Sequence, residues 1–367
     1  MTGPTPPPRN GMSVTTANLL AGLEGTGIEL YLVDTADRRG LRNVGHFDAG
    51  NVVNALLHGG RFVVSLLRVD PDVVYVPVAQ NSLGFLRDSL FLFAARLRRK
   101  RVVVHLHGCN FRAFYGAATM PVRWLVRASL REVACAVVLG NAARSQFEGL
   151  IDSSKVRIVE NGVPDVPGEG RDMFEPRLSD GCGVVLFLST LAVGKGFLDL
   201  LRAAPALDDL PGLRFVFAGE YRTLEAKIEA EQLIAENRLG DRVEVLGAVG
   251  AMQAQRLLER AGVLVLPVRQ VEGQPLVILE AFRCGTPVVA SPSGCIPDTV
   301  SDGRDGFLVA SGRPDELAAA IRRLSTDALL WSKMAEAARR TYEERYTLER
   351  WGESMARVFR EVARIEL

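Results

Sequence analysis

Short apolar runs rich in Val, Ile and Leu recur along this chain, and between them lie segments whose apolar residues return every three or four positions. A run with at most one polar residue reads as a strand with both faces largely buried, the state of a parallel strand covered by helices on either side. In the first half such runs fall at 28–33, 73–78, 102–106, 136–139 and 156–159, with helical candidates at 13–23, 83–99, 122–132 and 142–150. The second half repeats the alternation, with runs at 184–188, 215–218, 243–246, 263–266, 287–290 and 307–309. Between the halves, 164–183 is rich in Gly, Pro and charge, a linker signature. The pattern predicts an α/β chain of two doubly wound domains, with ligands collecting at the carboxyl ends of the strands.

Composition narrows the class. A length of 367 residues suits two domains that each bury a core. Lys and Arg number 44 against 43 Asp and Glu, so global charge gives no argument for a nucleic-acid partner. Cys109, Cys135, Cys182, Cys284 and Cys295 are odd in number and lack C-x-x-C spacing. They read as buried thiols in a reducing compartment. No apolar run has the length to span a bilayer, and no charged start leads into an apolar core. The expected location is the cytoplasm.

The stretch Glu272-Gly-Gln-Pro-Leu-Val-Ile-Leu-Glu280 sets two carboxylates around the start of a helix, directly after the apolar run Gly262-Val-Leu-Val-Leu-Pro267. Pro275 suits a first helical position, where its missing N–H costs nothing, and Gly285 ends the helix. The open amides at such a helix start attract an anion. Flanking carboxylates suit hydroxyls. A pocket holding both a phosphate and a sugar or ribose would use this arrangement.

This segment resembles the E-x7-E signature of retaining GT-B glycosyltransferases, the glycosyl transferases group 1 family. The likeness extends from Val263 to Val309, through Ser291-Pro-Ser-Gly-Cys-Ile-Pro-Asp298 and Asp302-Gly-Arg-Asp-Gly-Phe-Leu-Val309. The resemblance implies two Rossmann-like domains facing across a cleft, with 1–165 as the acceptor domain, 178–345 as the donor domain, and a final helix at 351–367 returning to the first. By the same resemblance, Glu272 orients the donor sugar. Gly273, Gln274, Leu276 and Val277 present amides to its diphosphate, and Glu280 holds the ribose. Ser189-Thr-Leu-Ala-Val-Gly-Lys195-Gly196 resembles the family's phosphate loop. Lys195 matches its lysine, whereas Thr190 stands where the family has arginine, leaving Arg222, Arg269 or helix amides as substitutes. Gly219, in Ala218-Gly-Glu-Tyr221, resembles a turn beneath the donor, and Val245-Leu-Gly-Ala-Val249 the segment against the nucleobase.

In the first half, His105-Leu-His107-Gly108 ends a strand run, so both imidazoles project to one side. His107 resembles the family's cleft histidine and is expected to act in catalysis, while His105 is expected to be structural. Asn161-Gly162 resembles the family's hinge. Met1 to Gly11 resembles the loop that follows the family's first strand, with Gly11 near the donor phosphates. The expected first strand would then begin upstream of Met1. Asp70-Pro-Asp72 has the spacing of a metal-binding D-x-D, but it merely precedes a strand, where Pro and Asp make turns. No metal and no cofactor are expected.

Arg123, Arg127 and Arg131 recur at helical spacing beside Met120 and Trp124, and 83–99 is apolar nearly all round before the basic run that ends at Arg101. Such faces suit peripheral contact with an anionic membrane, which would place the enzyme at the inner face of the membrane. The expected function is transfer of a hexose from a UDP- or GDP-sugar to a sugar or lipid-linked sugar acceptor. The alternatives are a weak or inactive GT-B protein that binds nucleotide sugar or a partner, and a GT-B sugar-nucleotide epimerase.

Overall fold

A computed structural model describes residues 1–38, 49–166 and 177–364. The inner part of the expected linker, 167–176, and the end of the final helix segment, 365–367, lie outside the described residues. The chain forms two compact units, Met1–Pro164 with Thr347–Leu367, and Asp165–Tyr346.

The first unit runs β1 (Thr2–Gly3), α1 (Gly11–Gly22), β2 (Val33–Asp34), α2 (Ala49–Val69), β3 (Val73–Pro77), α3 (Ser82–Leu97), β4 (Arg101–Leu106), α4 (Phe111–Ala117), α5 (Met120–Leu130), β5 (Cys135–Val138) and β6 (Val156–Ile158). Strands β3, β4, β5 and β6 form a parallel sheet in that order. Beside it, β1 pairs in parallel with β2, and the Thr2 hydroxyl reaches the Tyr75 carbonyl of β3 at 3.5 Å. A strand therefore does precede the Pro-rich loop, two residues long. The run expected as a strand at 28–33 pairs only at Val33–Asp34. The helix expected at 142–150 is a 3-10 turn, Asn141–Phe147. Two helices had no counterpart in the sequence reading, α2 and α4.

The second unit runs β7 (Leu178–Ser179), β8 (Cys182–Leu188), α6 (Phe197–Ala203), β9 (Gly212–Ala218), α7 (Leu224–Glu236), β10 (Val243–Gly247), α8 (Ala251–Arg260), β11 (Val263–Leu266), α9 (Leu276–Arg283), β12 (Val288–Ala290), α10 (Ile296–Thr299), β13 (Gly306–Leu308), α11 (Pro314–Thr326) and α12 (Ala328–Thr341). The parallel order is β10-β9-β8-β11-β12-β13, with β7 paired antiparallel to β8. Counted from β8, this is the 3-2-1-4-5-6 order of doubly wound sheets, whose direction of winding reverses between β8 and β11. The central strands β11 and β12 are buried throughout, as their unbroken apolar runs require, whereas the edge strand β10 carries Glu244 and stays partly exposed. Cys109, Cys135, Cys284 and Cys295 are buried as expected; Cys182, at the start of β8, is exposed instead.

Arg177 fixes one end of this unit. Its guanidinium donates to the carbonyls of Leu258 and Glu259 at the end of α8, and to those of Cys284 and Gly285 after α9. Those carbonyls have no partner within their helices. Burial lowers the arginine's pKa to about 10, and the Trp331 ring lies beneath it at 5.2 Å.

A last helix, α13 (Leu348–Ala363), belongs to the first unit. Trp351, Met355 and Phe359 enter the core formed by Leu19, Leu23, Tyr75, Val103 and Val137. Its approach to α1 is backbone against backbone, because a Cβ on Gly352 would lie 1.6 Å from the Gly22 carbonyl oxygen. Gly352→Ala should therefore force α13 off α1 and cost about 3 kcal/mol or more, the upper range for overpacking. Urea unfolding would register this as a lower midpoint; an unchanged midpoint would mean that the helices can slide apart freely.

A polar cluster sits at the carboxyl end of β4. The Tyr75 hydroxyl lies 2.8 Å from His105 Nδ1 and 3.3 Å from His107 Nε2, and the imidazole centroids are 3.8 Å apart. One hydroxyl proton can serve only one imidazole, so the other ring must donate to the tyrosine oxygen, and the two tautomers are linked. Burial pushes the His107 pKa down to about 4 and that of His105 well below its ordinary value, with the neighbouring His107 adding to the latter. Both rings are neutral near pH 7. An unfolded chain would bind protons below pH 6.5 that the folded one refuses until about pH 4. Stability is then full above pH 6.5 and is lost as pH falls towards 4. His107→Gln should flatten the dependence of the urea midpoint on pH between 7 and 5; an unaltered slope would show that this ring titrates normally.

Candidate functional site

The winding reversal of the second sheet lies between the loop after β8 and the loop after β11. Both carry the residues that the sequence singled out. The two loops are zipped together, since the Gly194 carbonyl accepts the amides of Arg269 at 2.9 Å and Gln270 at 3.1 Å. The third loop, after β12, closes on them from the other side. The Ser293 hydroxyl donates to the Gln270 carbonyl at 2.9 Å and the Cys295 amide to the Glu272 carbonyl at 3.3 Å. Gly294 sits at φ +57°, and a Cβ there would lie 1.6 Å from the Glu272 carbonyl oxygen. Any other residue would push the Glu272 backbone aside.

Within this frame, Lys195 Nζ meets Glu272 Oε1 at 2.8 Å, and Gln270 Nε2 donates to the same oxygen at 2.6 Å. The Glu272 side chain is only 12% exposed, so the pair is well screened from water. Gln274 is buried and its side chain donates to Thr299 Oγ1 at 3.3 Å. It therefore faces the protein, and its backbone is what it can offer a ligand. Pro275 is the N-cap of α9 rather than its first residue. No side chain caps this helix, so Leu276 and Val277 present first-turn amides, while Ile278 N bonds back to the Pro275 carbonyl at 3.0 Å. Glu280 lies half-buried one turn further along α9. Gly273 begins the approach to this helix start and is half-buried.

Thr190 is exposed at the tip of β8 and brings no charge. Of the two arginines that could replace the missing cation, Arg269 is committed elsewhere. It makes a two-point pair with Asp199, whose side chain is 1% exposed and also meets Arg202. Arg222 is exposed, and its amide donates to the Leu191 carbonyl at 3.0 Å, directly beside Thr190. Gly219 ends β9 at φ +156° against the Ser189 carbonyl, so it belongs to the same cluster of loops.

The first unit holds the remaining predicted residues. Gly11 starts α1, whose N-terminus is already closed by a capping box between Asn10 and Ser13. A Cβ at Gly11 would meet nothing within 4 Å, so packing does not require glycine there. His107 is half-buried, with Nε2 turned to Tyr75 and Nδ1 buried without a hydrogen-bond partner among the described residues. Asn161 is buried, and Gly162 lies against the Thr347 carbonyl and Trp351 at the start of α13. The Val163–Thr347 bridge sets the two chain crossings of this unit side by side. Asp70 lies at the amino end of β3 and pairs with Lys100 at 2.8 Å, away from the carboxyl ends. Sequence reasoning gave no role to Gln270 or Ser293; their signal was only adjacency to Glu272 and Gly294.

Residues 9–165 match the family model described as Glycosyltransferase Family 4, and residues 182–327 match Glycosyl transferases group 1. An alpha-D-kanosaminyltransferase of Streptomyces kanamyceticus is 26% identical over 276 residues, covering 71% of this chain and 70% of the relative. A GDP-mannose-dependent alpha-(1-6)-phosphatidylinositol monomannoside mannosyltransferase of Mycolicibacterium smegmatis is 30% identical over 285 residues, 70% of this chain and 68% of its own. In fold, the chain is similar to Anabaena HepE, solved in complex with UDP, at a TM-score of 0.69 with 20% identity over 84% of each chain. With both units matched and the mycobacterial likeness spanning two thirds of each partner, the chain belongs to the group 1 glycosyltransferases and has the GT-B fold.

Proposed function

We propose that this glycosyltransferase is a retaining, metal-independent hexosyltransferase of the cytoplasm. It takes a hexose from a UDP- or GDP-sugar and passes it to a glycan or lipid-linked sugar. The observation that carries the reading is the 2.8 Å contact between Lys195 and Glu272 across the winding reversal of the second sheet. A cation, an acid and an open helix start converge there, at the position where doubly wound sheets bind ligands.

In this reading the donor diphosphate displaces Glu272 from Lys195. The ammonium then neutralises the charge that grows on the departing nucleoside diphosphate. Arg222 supplies the second cation that Thr190 lacks, and the amides of Gly273, Gln274, Leu276 and Val277 supply further donors. Glu272, released from the lysine and still steadied by Gln270, accepts from the hydroxyls of the transferring hexose. Glu280 accepts from the ribose. The acceptor hydroxyl attacks from the face that the leaving group departs, which retains the anomeric configuration without an enzyme nucleophile. His107, neutral at pH 7, serves as a hydrogen-bonding partner to the leaving phosphate or the attacking hydroxyl, not as a cation.

The relatives' names bear on the donor. HepE was solved with UDP, and the mycobacterial relative is named for GDP-mannose, so both bases stay in the proposal.

A panel of UDP- and GDP-sugars, screened by thermal shift, should yield one that raises the melting temperature by several degrees at about 100 times its Kd. With that donor, Glu272→Ala should lower transfer by about 10²-fold or more. Turnover indifferent to Glu272 would end the catalytic assignment. Lys195→Ala and Arg222→Ala should each weaken the shift caused by the free nucleoside diphosphate while leaving that of the nucleoside unchanged. A diphosphate shift that survives Arg222→Ala would return the search for the second cation to the helix amides.

A further inference from the structure

Helix α2 exposes an apolar stripe that no described residue of its own unit covers. Val53, Leu56, Leu57, Val63, Val64 and Leu67 fall at helical spacing on one side, and Leu56 is 64% and Leu67 57% exposed. The opposite side is already committed, with Phe62 and Leu66 buried and Phe62 packed on Phe91 of α3 at 4.9 Å. The stripe continues onto the neighbouring helix. Leu86 and Leu90 of α3 are exposed, and Leu90 Cδ1 lies 3.8 Å from where a Cβ on Gly59 would stand. Two adjacent helices thus present one apolar ridge to water, of a kind that marks an interaction surface.

Charge decides what the ridge fits. Residues 49–131 contain twelve Lys and Arg against three Asp and no Glu, whereas the whole chain is balanced at 44 to 43. One of the three, Asp88, is buried and paired with Arg87. Helix α2 has no acidic residue, and its exposed Arg61 and Arg68 fall along one edge of the stripe. The arginines expected to carry such contact on α5 are partly occupied. Arg127 donates to the Tyr115 hydroxyl at 2.6 Å, and Arg123 bonds the Gly116 carbonyl. Helix α2 is not apolar enough to cross a bilayer. An amphipathic helix with basic edges lies in the headgroup region instead.

We infer that the α2–α3 ridge docks this protein on an anionic lipid bilayer, with α2 lying in the plane of the interface. The inference deepens the acceptor side of the proposed function, and rests on that reading only in making a lipid-linked acceptor reachable. Flotation of the full chain with phosphatidylglycerol–phosphatidylcholine vesicles, against vesicles of phosphatidylcholine alone, tests it. Wild type should float with the anionic vesicles only, and raised salt should release it. Arg61→Glu with Arg68→Glu should weaken binding about thirty-fold or more, at roughly 1 kcal/mol per surface cation. Leu56→Gln with Val64→Gln and Leu67→Gln should abolish it, with melting temperature and donor hydrolysis unchanged in both variants. Hydrolysis lost in wild type and variants alike would count against the proposed chemistry and leave the docking result standing. Failure of wild type to float, or equal flotation of the variants, overturns the inference. So does a wild-type dimer in light scattering that the Gln variant dissolves, since the ridge would then be a self-interface.

Discussion

Backbone contact between loops is the constraint on which the second unit's chemistry depends. Three strands of a doubly wound sheet end side by side, and the loops that leave them meet largely carbonyl to amide, with the Ser293 hydroxyl adding one side-chain tie. Gly194 accepts two amides from the β11 loop, and Gly294 leaves no room between itself and the Glu272 carbonyl. A loop held by side chains could adjust by rotamer changes; one held by main chain cannot. The Glu272 carboxylate is therefore placed by the fold, and its partners Lys195 and Gln270 come from segments that the same contacts immobilise. Preorganisation of this kind lets a fixed charge act on a leaving group without reorganising at the moment of reaction.

The same logic separates the two arginines near the site. A buried carboxylate is costly unless it is paired, and Asp199 lies at the first turn of α6 with almost no exposure. Arg269 satisfies it with two hydrogen bonds, so recruiting Arg269 to a phosphate would strand that acid. Arg222 is exposed and holds no buried acid among the described residues, and its backbone is tied to the loop that Thr190 occupies. Proximity along the chain would have favoured Arg269, three residues from Glu272. The energetics of burial favour the more distant residue.

Much of this was legible in the residues. The strands β11 and β12 appear as unbroken apolar runs, because a strand covered on both faces has no polar positions to interrupt it; β9 and β10 show through despite Arg214 and Glu244. The start of α9, with Pro275 and the flanking acids, was visible for the same local reason. Legibility failed where local pattern and burial part company. β1 and β2 pair over two residues each, too few to leave a periodic trace, and 28–32, apolar but for Glu29, stays outside the strand although the Tyr31 carbonyl accepts from the Met1 amine. Helix α2 was hidden because its apolar residues occupy both a core face and an exposed stripe, with Gly59 and Gly60 between them. The two adjacent glycines also lower the helix propensity of its middle. The tie between Tyr75 and the two histidines was equally invisible, since 30 residues separate the partners.

Charge shows the same gap between totals and placement. A net charge of +1 excludes nothing about surfaces, because it sums over positions that never face the same partner. Along 49–131 the cations outnumber the acids four to one, and four of them, Arg61, Arg68, Arg87 and Arg96, stand on the two helices that also expose leucine and valine. Either property alone has an ordinary explanation: isolated surface leucines are common, and arginine faces are usually solvated. Their coincidence on α2 and α3 is harder to account for in water. Exposed aliphatic groups gain nothing from neighbouring cations in a free solute, whereas at an anionic bilayer the electrostatic attraction concentrates the chain at the surface where burial of those groups becomes favourable.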